Sequence, residues 1–196
     1  MAWVIVGLGN PGAEYTRTRH NAGRMALDFL AHAEKFPEWK EDKKSNAHII
    51  RGDLEGESVV LVAPDTFMNK SGSAVAKFVK SVKAAEKMVV VYDDLDLPIG
   101  KIKLSFDRGS GGHHGLESVM RAVKTKKFLR IRVGVSKATA SGKTKKVSGE
   151  DEVVDFILAK FRPAEEDALK AVFKNVAEAI RVTVTQGREI AMNKFN

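Results

Sequence analysis

The sequence predicts a single α/β domain. Short β-branched runs alternate with stretches of helical period along most of the chain. The 196 residues are enough for one core and short for two. No internal repeat and no linker divides them. Trp3–Leu8 reads as an apolar strand that ends in a Gly/Pro turn. Asn21–Phe36 has a helical period, with Met25, Phe29, Leu30 and Ala33 expected on one face. Ala47–Gly52 and Ser58–Val62 flank Asp53-Leu54-Glu55-Gly56, the pattern of a hairpin. Ser71 is expected to cap a helix carrying Val75, Phe78, Val79 and Val82. Met88–Tyr92 is a buried-type strand, and Lys101–Phe106 a strand of alternating character. A helix over Leu116–Lys126 and a strand over Leu129–Val135 follow. Gly, Ser, Thr and Lys dominate Ser136–Glu150, which offers almost nothing to bury and reads as a long lid or binding loop. Helices finish the chain. Pro163 opens one, with Glu165 and Glu166 in its first turn and Leu169, Val172, Phe173, Val176 and Ile180 as its apolar stripe.

Composition narrows the function. There is no cysteine, which excludes disulfides, thiolate metal sites and a cysteine nucleophile, and fits the cytoplasm. No apolar run approaches the roughly 18 residues that a membrane span needs. The first residues enter a strand without a basic region or a cleavage site, which argues against a secretory signal. Lys and Arg number 33 against 25 acids, a net charge of +8. Such an excess favours polyanions through counterion release and steering, but does not by itself assign a nucleic acid.

Gly7-x-Gly9-x-x-Gly12 follows a strand, and Asp28 stands about twenty residues on, the outline of a dinucleotide fingerprint. Its context is wrong. Residues 13–20 lack the apolar stripe of the required helix, and Asp28 falls within a helical pattern instead of at the end of a second strand. The glycines instead suit a sharp turn at a strand end, where α/β sheets bind ligands. Three polar groups are expected at such ends: Asn10, Asp93-Asp94, and the loop Asp107–His114.

His20 lies just before a helix. A lone histidine is more often a structural hydrogen-bonder than a catalyst; with a carboxylate to fix its tautomer it becomes a general base for water. Asp93 is the natural partner, although Asp93-Asp94 with Asp96 could also cap a turn or hold a divalent cation. Asn10 and Asn69 each offer a donor and an acceptor, suited to both edges of a peptide backbone. Arg108-Gly109-Ser110-Gly111-Gly112-His113-His114-Gly115 feeds a helix, whose free amides favour anions such as phosphate; a plain flexible turn explains it equally. Two adjacent histidines without a third ligand nearby do not suggest zinc.

Together these segments resemble the bacterial-type peptidyl-tRNA hydrolase family. The likeness rests on Val6-Gly7-Leu8-Gly9-Asn10-Pro11-Gly12 with Tyr15, on Thr18-Arg19-His20-Asn21-x-Gly23, and on Thr66-Phe67-Met68-Asn69-x-Ser71-Gly72. Asp93-Asp94-Leu95-Asp96-Leu97-Pro98-x-Gly100 and Gly111-Gly112-His113-x-Gly115-Leu116 complete it. The motifs keep the family's order from residue 4 to about 160. The resemblance implies a mixed central sheet flanked by helices in three layers, and an esterase that needs neither metal nor cofactor. It implies His20 as the base, Asp93 as its partner, and Asn10, Asn69 and Met68 in the peptide groove, with Tyr15 and His113 also in the site. Peptidyl-tRNA would be the partner, bound through Lys103, Arg132 and the loop, by a monomer with no membrane or obligate protein partner.

One position departs from the pattern. The family usually has asparagine where this chain has His114, and that asparagine helps to hold the catalytic water and the tRNA 3′ end. A neutral imidazole also has one donor and one acceptor, so His114 is expected to keep part of the role and to add pH sensitivity. Lys143, Lys145 and Lys146 stand on the Ser136–Glu150 loop, whereas Lys101, Lys124, Lys126 and Lys127 read as solvated surface. Two competing functions remain: a non-catalytic RNA-binding or RNA-processing factor on the same fold, which would need neither His20 nor Asp93, and a nucleotide-dependent oxidoreductase, which rests on the glycines alone.

Overall fold

The computed structural model describes residues 1–138, 144, 147 and 149–196. Seven strands form one mixed sheet: β1 Trp3–Gly7, β2 Lys40–Asp42, β3 Ala47–Leu54, β4 Glu57–Pro64, β5 Met88–Pro98, β6 Ile102–Phe106 and β7 Leu129–Ser136. Their order is β2-β3-β4-β1-β5-β7-β6. The centre is parallel, with β1 between β4 and β5, and β7 beside β5. Antiparallel β2/β3, β3/β4 and β7/β6 pairs complete the two sides.

Successive residues of β1 feed opposite faces, so both sides of the sheet must be covered. Ile5 joins Leu61, Val91 and Ile131 beneath α1 (Ala22–Ala33) and α5 (Glu166–Gln186). Val4 and Val6 join Val60, Val62 and Val90 beneath α2 (Ser71–Val75) and α3 (His114–Val123). The result is the three-layer α/β arrangement that the sequence implied. The expected apolar stripe of the last long helix, Leu169 to Ile180, is buried in the first of these cores.

Several boundaries differ from expectation for local reasons. The buried stripe of α1 is Ala22, Ala26, Leu27, Leu30 and Ala31; Met25 and Phe29 are only partly buried and Ala33 is exposed. That helix ends early because Lys35 turns left-handed, at φ 52°, and Phe36 N–H closes on Ala31 O. Ser71 is the first residue of α2 and not its cap; its hydroxyl donates to Met68 O at 2.9 Å. The helix stops at Val75, since Ser81 starts a new turn by accepting Ala84 N–H, and Val82 is exposed. β5 runs on to Pro98, so Asp93 and Asp94 are strand residues opposite Val133 and Gly134. β6 begins at Ile102, leaving Lys101 in the turn before it.

Two helices lacked specific signals: α4 (Glu150–Leu158) and α6 (Arg188–Phe195). Most of the expected lid, residues 139–143, 145, 146 and 148, lies outside the described residues, and Lys143, Lys145 and Lys146 are among them. β6 forms one edge of the sheet. There the Asn196 side chain takes Leu104 N–H on Oδ1 at 2.8 Å and donates Nδ2 to Leu104 O at 3.1 Å, while Arg188 lies 3.8 Å from the Phe106 ring centre. No helix among the described residues is long and apolar enough to cross a membrane.

Candidate active site

Close backbone approach places the first functional group. A Cβ on Gly23 would lie 2.3 Å from Val91 O and 2.7 Å from Leu8 N, so only glycine lets the first turn of α1 press onto β1 and β5. The 3-10 turn Arg19–Asn21 just before it therefore sits over the carboxyl end of β5, with His20 above Asp93. His20 Nδ1 is 3.0 Å from both Asp93 carboxylate oxygens. A carboxylate only accepts, so Nδ1 carries the proton and the neutral ring keeps its lone pair on Nε2. Nε2 has no partner among the described residues.

His113 completes a trio around the carboxylate. It is the N-cap of α3, where Nδ1 accepts Leu116 N–H at 3.1 Å. Its other nitrogen, Nε2, therefore donates to Asp93 Oδ1 at 3.0 Å. The His20 and His113 rings lie 5.1 Å apart, and Tyr92 packs edge-on against His113 at 4.9 Å. Asp93 is 4% exposed. Burial alone pushes its carboxyl up, but the two imidazoles outweigh that and hold it well below the usual carboxylate range. Burial alone likewise pushes His20 down, but the Asp93 charge and hydrogen bond outweigh it and raise the imidazole above its ordinary value. Among the described residues, His20, Asp93 and His113 are the one group whose side chains could converge on a metal ion. As they stand, three of their nitrogens are already engaged, two by the carboxylate and one by Leu116 N–H.

His20 and Asp93 open on a cavity of about 980 Å³. Its lining includes the basic side chains of Lys103, Arg108 and Arg132 and an apolar part from Val153, Val154 and Ile157 of α4. Lys103 and Arg132 are register partners across β6 and β7, and Arg132 is held by the Asp94 carboxylate. Asp94 is thus engaged by Arg132 and Asp96 stays exposed, so the three acids do not converge as a cation site. His114 lines the same cavity from the first position of α3; its side chain is 78% exposed and lies 3.9 Å from Glu117.

The other predicted residues lie along a neighbouring surface. Asn10 Oδ1 accepts Met68 N–H at 2.8 Å, which joins the end of β1 to the turn before α2. The Met68 side chain is buried against α3, where a Cβ on Gly115 would come within 2.3 Å of its sulfur. Asn69 beside it is exposed, as is Phe67, and Tyr15 is half-buried in a 3-10 turn.

A family model described as peptidyl-tRNA hydrolase matches residues 4–196. The chain belongs to the peptidyl-tRNA hydrolase family. It is 39% identical to a peptidyl-tRNA hydrolase of Chloroflexus aggregans over 99% of this chain and 98% of that one. It is 38% identical to one of Mycobacterium bovis over 98% of this chain and 96% of the other. The crystal structure of the Acinetobacter baumannii peptidyl-tRNA hydrolase superposes with a TM-score of 0.86 at 32% identity, covering 100% of this chain and 94% of that one. The nucleotide-dependent oxidoreductase reading has no support: residues 13–21 form two 3-10 turns in place of the phosphate-binding helix, and Asp28 is an exposed residue of α1.

Three further residues shape this peptidyl-tRNA hydrolase site without having stood out in the sequence. Asn21 brackets Asn10, accepting its N–H and donating to its carbonyl, both at 2.9 Å. Arg19, almost fully buried, pairs with both oxygens of Glu165 at 2.9 and 3.0 Å and stacks on Phe156 of α4, so the residue before His20 anchors the apolar wall. Arg130 lies buried in β7 and donates to Gly109 O at 2.8 Å, tying the glycine-rich loop to the sheet. Asn21 and Arg19 stood inside the Thr18–Gly23 motif; residue type alone gave no hint of which would bind substrate and which would brace the site.

Proposed function

We propose that the chain hydrolyses the ester between a peptide, or an N-blocked aminoacyl group, and the 3′ end of tRNA. The observation that carries this reading is one imidazole bound through Nδ1 to a buried carboxylate, with Nε2 directed to open space. A water on Nε2 would lose its proton to His20 as it attacks the ester carbonyl. Asp93 would stabilise the imidazolium without being protonated, as its depressed pKa requires. The tetrahedral oxyanion would then collapse, the ribose oxygen leaving with the proton that His20 had taken. Asn10 Nδ2, which has no partner among the described residues, would donate to the carbonyl oxygen or the peptide. The scheme calls on no metal and no cofactor.

The cavity wall supports the substrate assignment. Lys103, Arg108 and Arg132, with His113 and His114 in the same lining, would take the tRNA 3′ end and its phosphates. Asn69, Met68 and Tyr15, which lie outside that lining, would take the peptide. The test is hydrolysis of an N-blocked aminoacyl-tRNA beside the same tRNA with a free amino group. Only the blocked ester should be cleaved. If neither is cleaved while tRNA still binds, the RNA-binding reading replaces this one. Lys103→Ala should raise KM with little change in kcat, and should lower the slope of log KM against log salt by about one unit. An unchanged slope would remove Lys103 from the phosphate contacts.

A further inference from the structure

Arg24, in the first turn of α1, is a hub for the carboxyl ends of two strands. Its Nη1 donates to Asn10 O at 3.2 Å. Its Nη2 donates to Pro64 O at 2.9 Å and Asp65 Oδ1 at 2.7 Å, with Ala63 O at 3.4 Å. The second Asp65 oxygen is 2.6 Å from His48 Nδ1, so the carboxylate that orients the guanidinium is itself braced from β3. The parallel ladder between β1 and β4 ends at Val6 and Val62. Beyond that point the guanidinium is a direct link from Asn10 to residues 63–65. A Cβ on Gly9 would lie 2.7 Å from Arg24 Cδ and 3.0 Å from Asn21 Cγ, so glycine is what admits both side chains beneath Asn10.

The same short segment also controls the Asn10 side chain. Met68, three residues after Asp65, gives its N–H to Asn10 Oδ1. The Asn10 backbone is engaged by Asn21 and Arg24, and Oδ1 by Met68. Only Nδ2 is left without a partner among the described residues. We propose that Arg24 is a positioning residue that holds Asn10 and the 63–68 segment in one register, so that Asn10 offers Nδ2 as a donor to the substrate. This rests on the ester-hydrolase reading and adds to it a residue that touches no substrate. A lysine cannot replace it, because one ammonium cannot span acceptors on both strand ends as a planar guanidinium does.

The experiment is a double-mutant cycle on N-blocked aminoacyl-tRNA, with kcat, KM and thermal unfolding recorded for each variant. Arg24→Ala is expected to lower kcat/KM on the order of tenfold, since small misplacement of a binding group costs at least that. Arg24→Lys, which keeps a cation beside Asp65, should lose a similar factor and serves as the folded test if Arg24→Ala unfolds. In an Asn10→Ala background, either Arg24 change should cost less than about twofold more, because residues that act through one another are not additive. Losses that multiply in the double variant would make Arg24 a purely structural residue, and native rates for Arg24→Lys would reduce it to a charge; either overturns the proposal. Failure of the native protein to cleave the ester is a different result: it removes the hydrolase reading itself.

Discussion

Replacing His20 with alanine is expected to lower kcat for an N-blocked aminoacyl-tRNA on the order of 10⁴-fold, the upper range for a general base. KM should change little, because tRNA would be gripped by Lys103, Arg108 and Arg132, away from the imidazole. Single-turnover cleavage with the ester in deficit separates the two, as binding and chemistry are then read independently. The variant should stay folded, since His20 lies in a short 3-10 turn and the buried stripe of α1 does not include it. Retention of more than about a tenth of the native rate would remove His20 from the chemistry and leave Nε2 as an incidental edge of the cavity.

The second large effect is expected at Asp93. Asp93→Asn keeps the shape but replaces the acceptor that fixes the proton on Nδ1, and kcat should fall by about 10³–10⁴-fold. The pH profile tells this apart from a general loss of folding. His20 must be neutral to accept a proton, so native activity falls as pH drops through its raised pKa. Without the carboxylate, burial dominates and the inflection should move to lower pH, while the plateau is lower. Stability carries the same signature with two signs. The depressed Asp93 group stabilises the fold above the ordinary carboxylate range and loses that as pH falls through its folded value. The raised His20 group stabilises below the ordinary histidine range and loses it as pH rises through its folded value. The pair therefore favours the fold most between those two ranges, and Asp93→Asn should flatten the unfolding temperature across that window. An inflection that stays in place would show that another group sets it.

The sequence exposed the strands and the site unequally. The apolar runs of β1, β4, β5 and β7 were legible because strands buried on both faces need no alternation to be seen. His20 and Asp93 were legible as partners because both stand at chain positions where an α/β sheet opens to ligands. What stayed hidden depended on tertiary compensation. The strand reads as ending at Tyr92 because Asp93-Asp94-Leu95-Asp96 is acidic, yet β5 continues through it, since His20 and His113 meet the first charge and Arg132 the second. α4 was obscured by the polar stretch before it; its apolar side faces a cavity instead of the core, which weakens the pattern a buried helix shows. The reach of Arg24 to the end of β4 is packing between segments far apart in the chain, and no local pattern could carry it. The cap role of His113 is local, a bond from Leu116 N–H three residues on, but histidine is not among the residue types that mark a cap in sequence.

The edge at β6 bears on how this molecule behaves in a crowded solution. An edge strand that presents its N–H and C=O outward is a template on which another chain can add a strand, the first step of sheet-to-sheet growth. At Leu104 both groups are already taken by the Asn196 amide, and the Phe106 ring next along is shielded by Arg188. A side chain stands in for the missing neighbour strand. Resistance to aggregation at this edge is thus written into Asn196 and Arg188. Neither belongs to the His20–Asp93–His113 trio, although Asn196 lines the same cavity. A substitution of either should shorten the time the protein stays in solution.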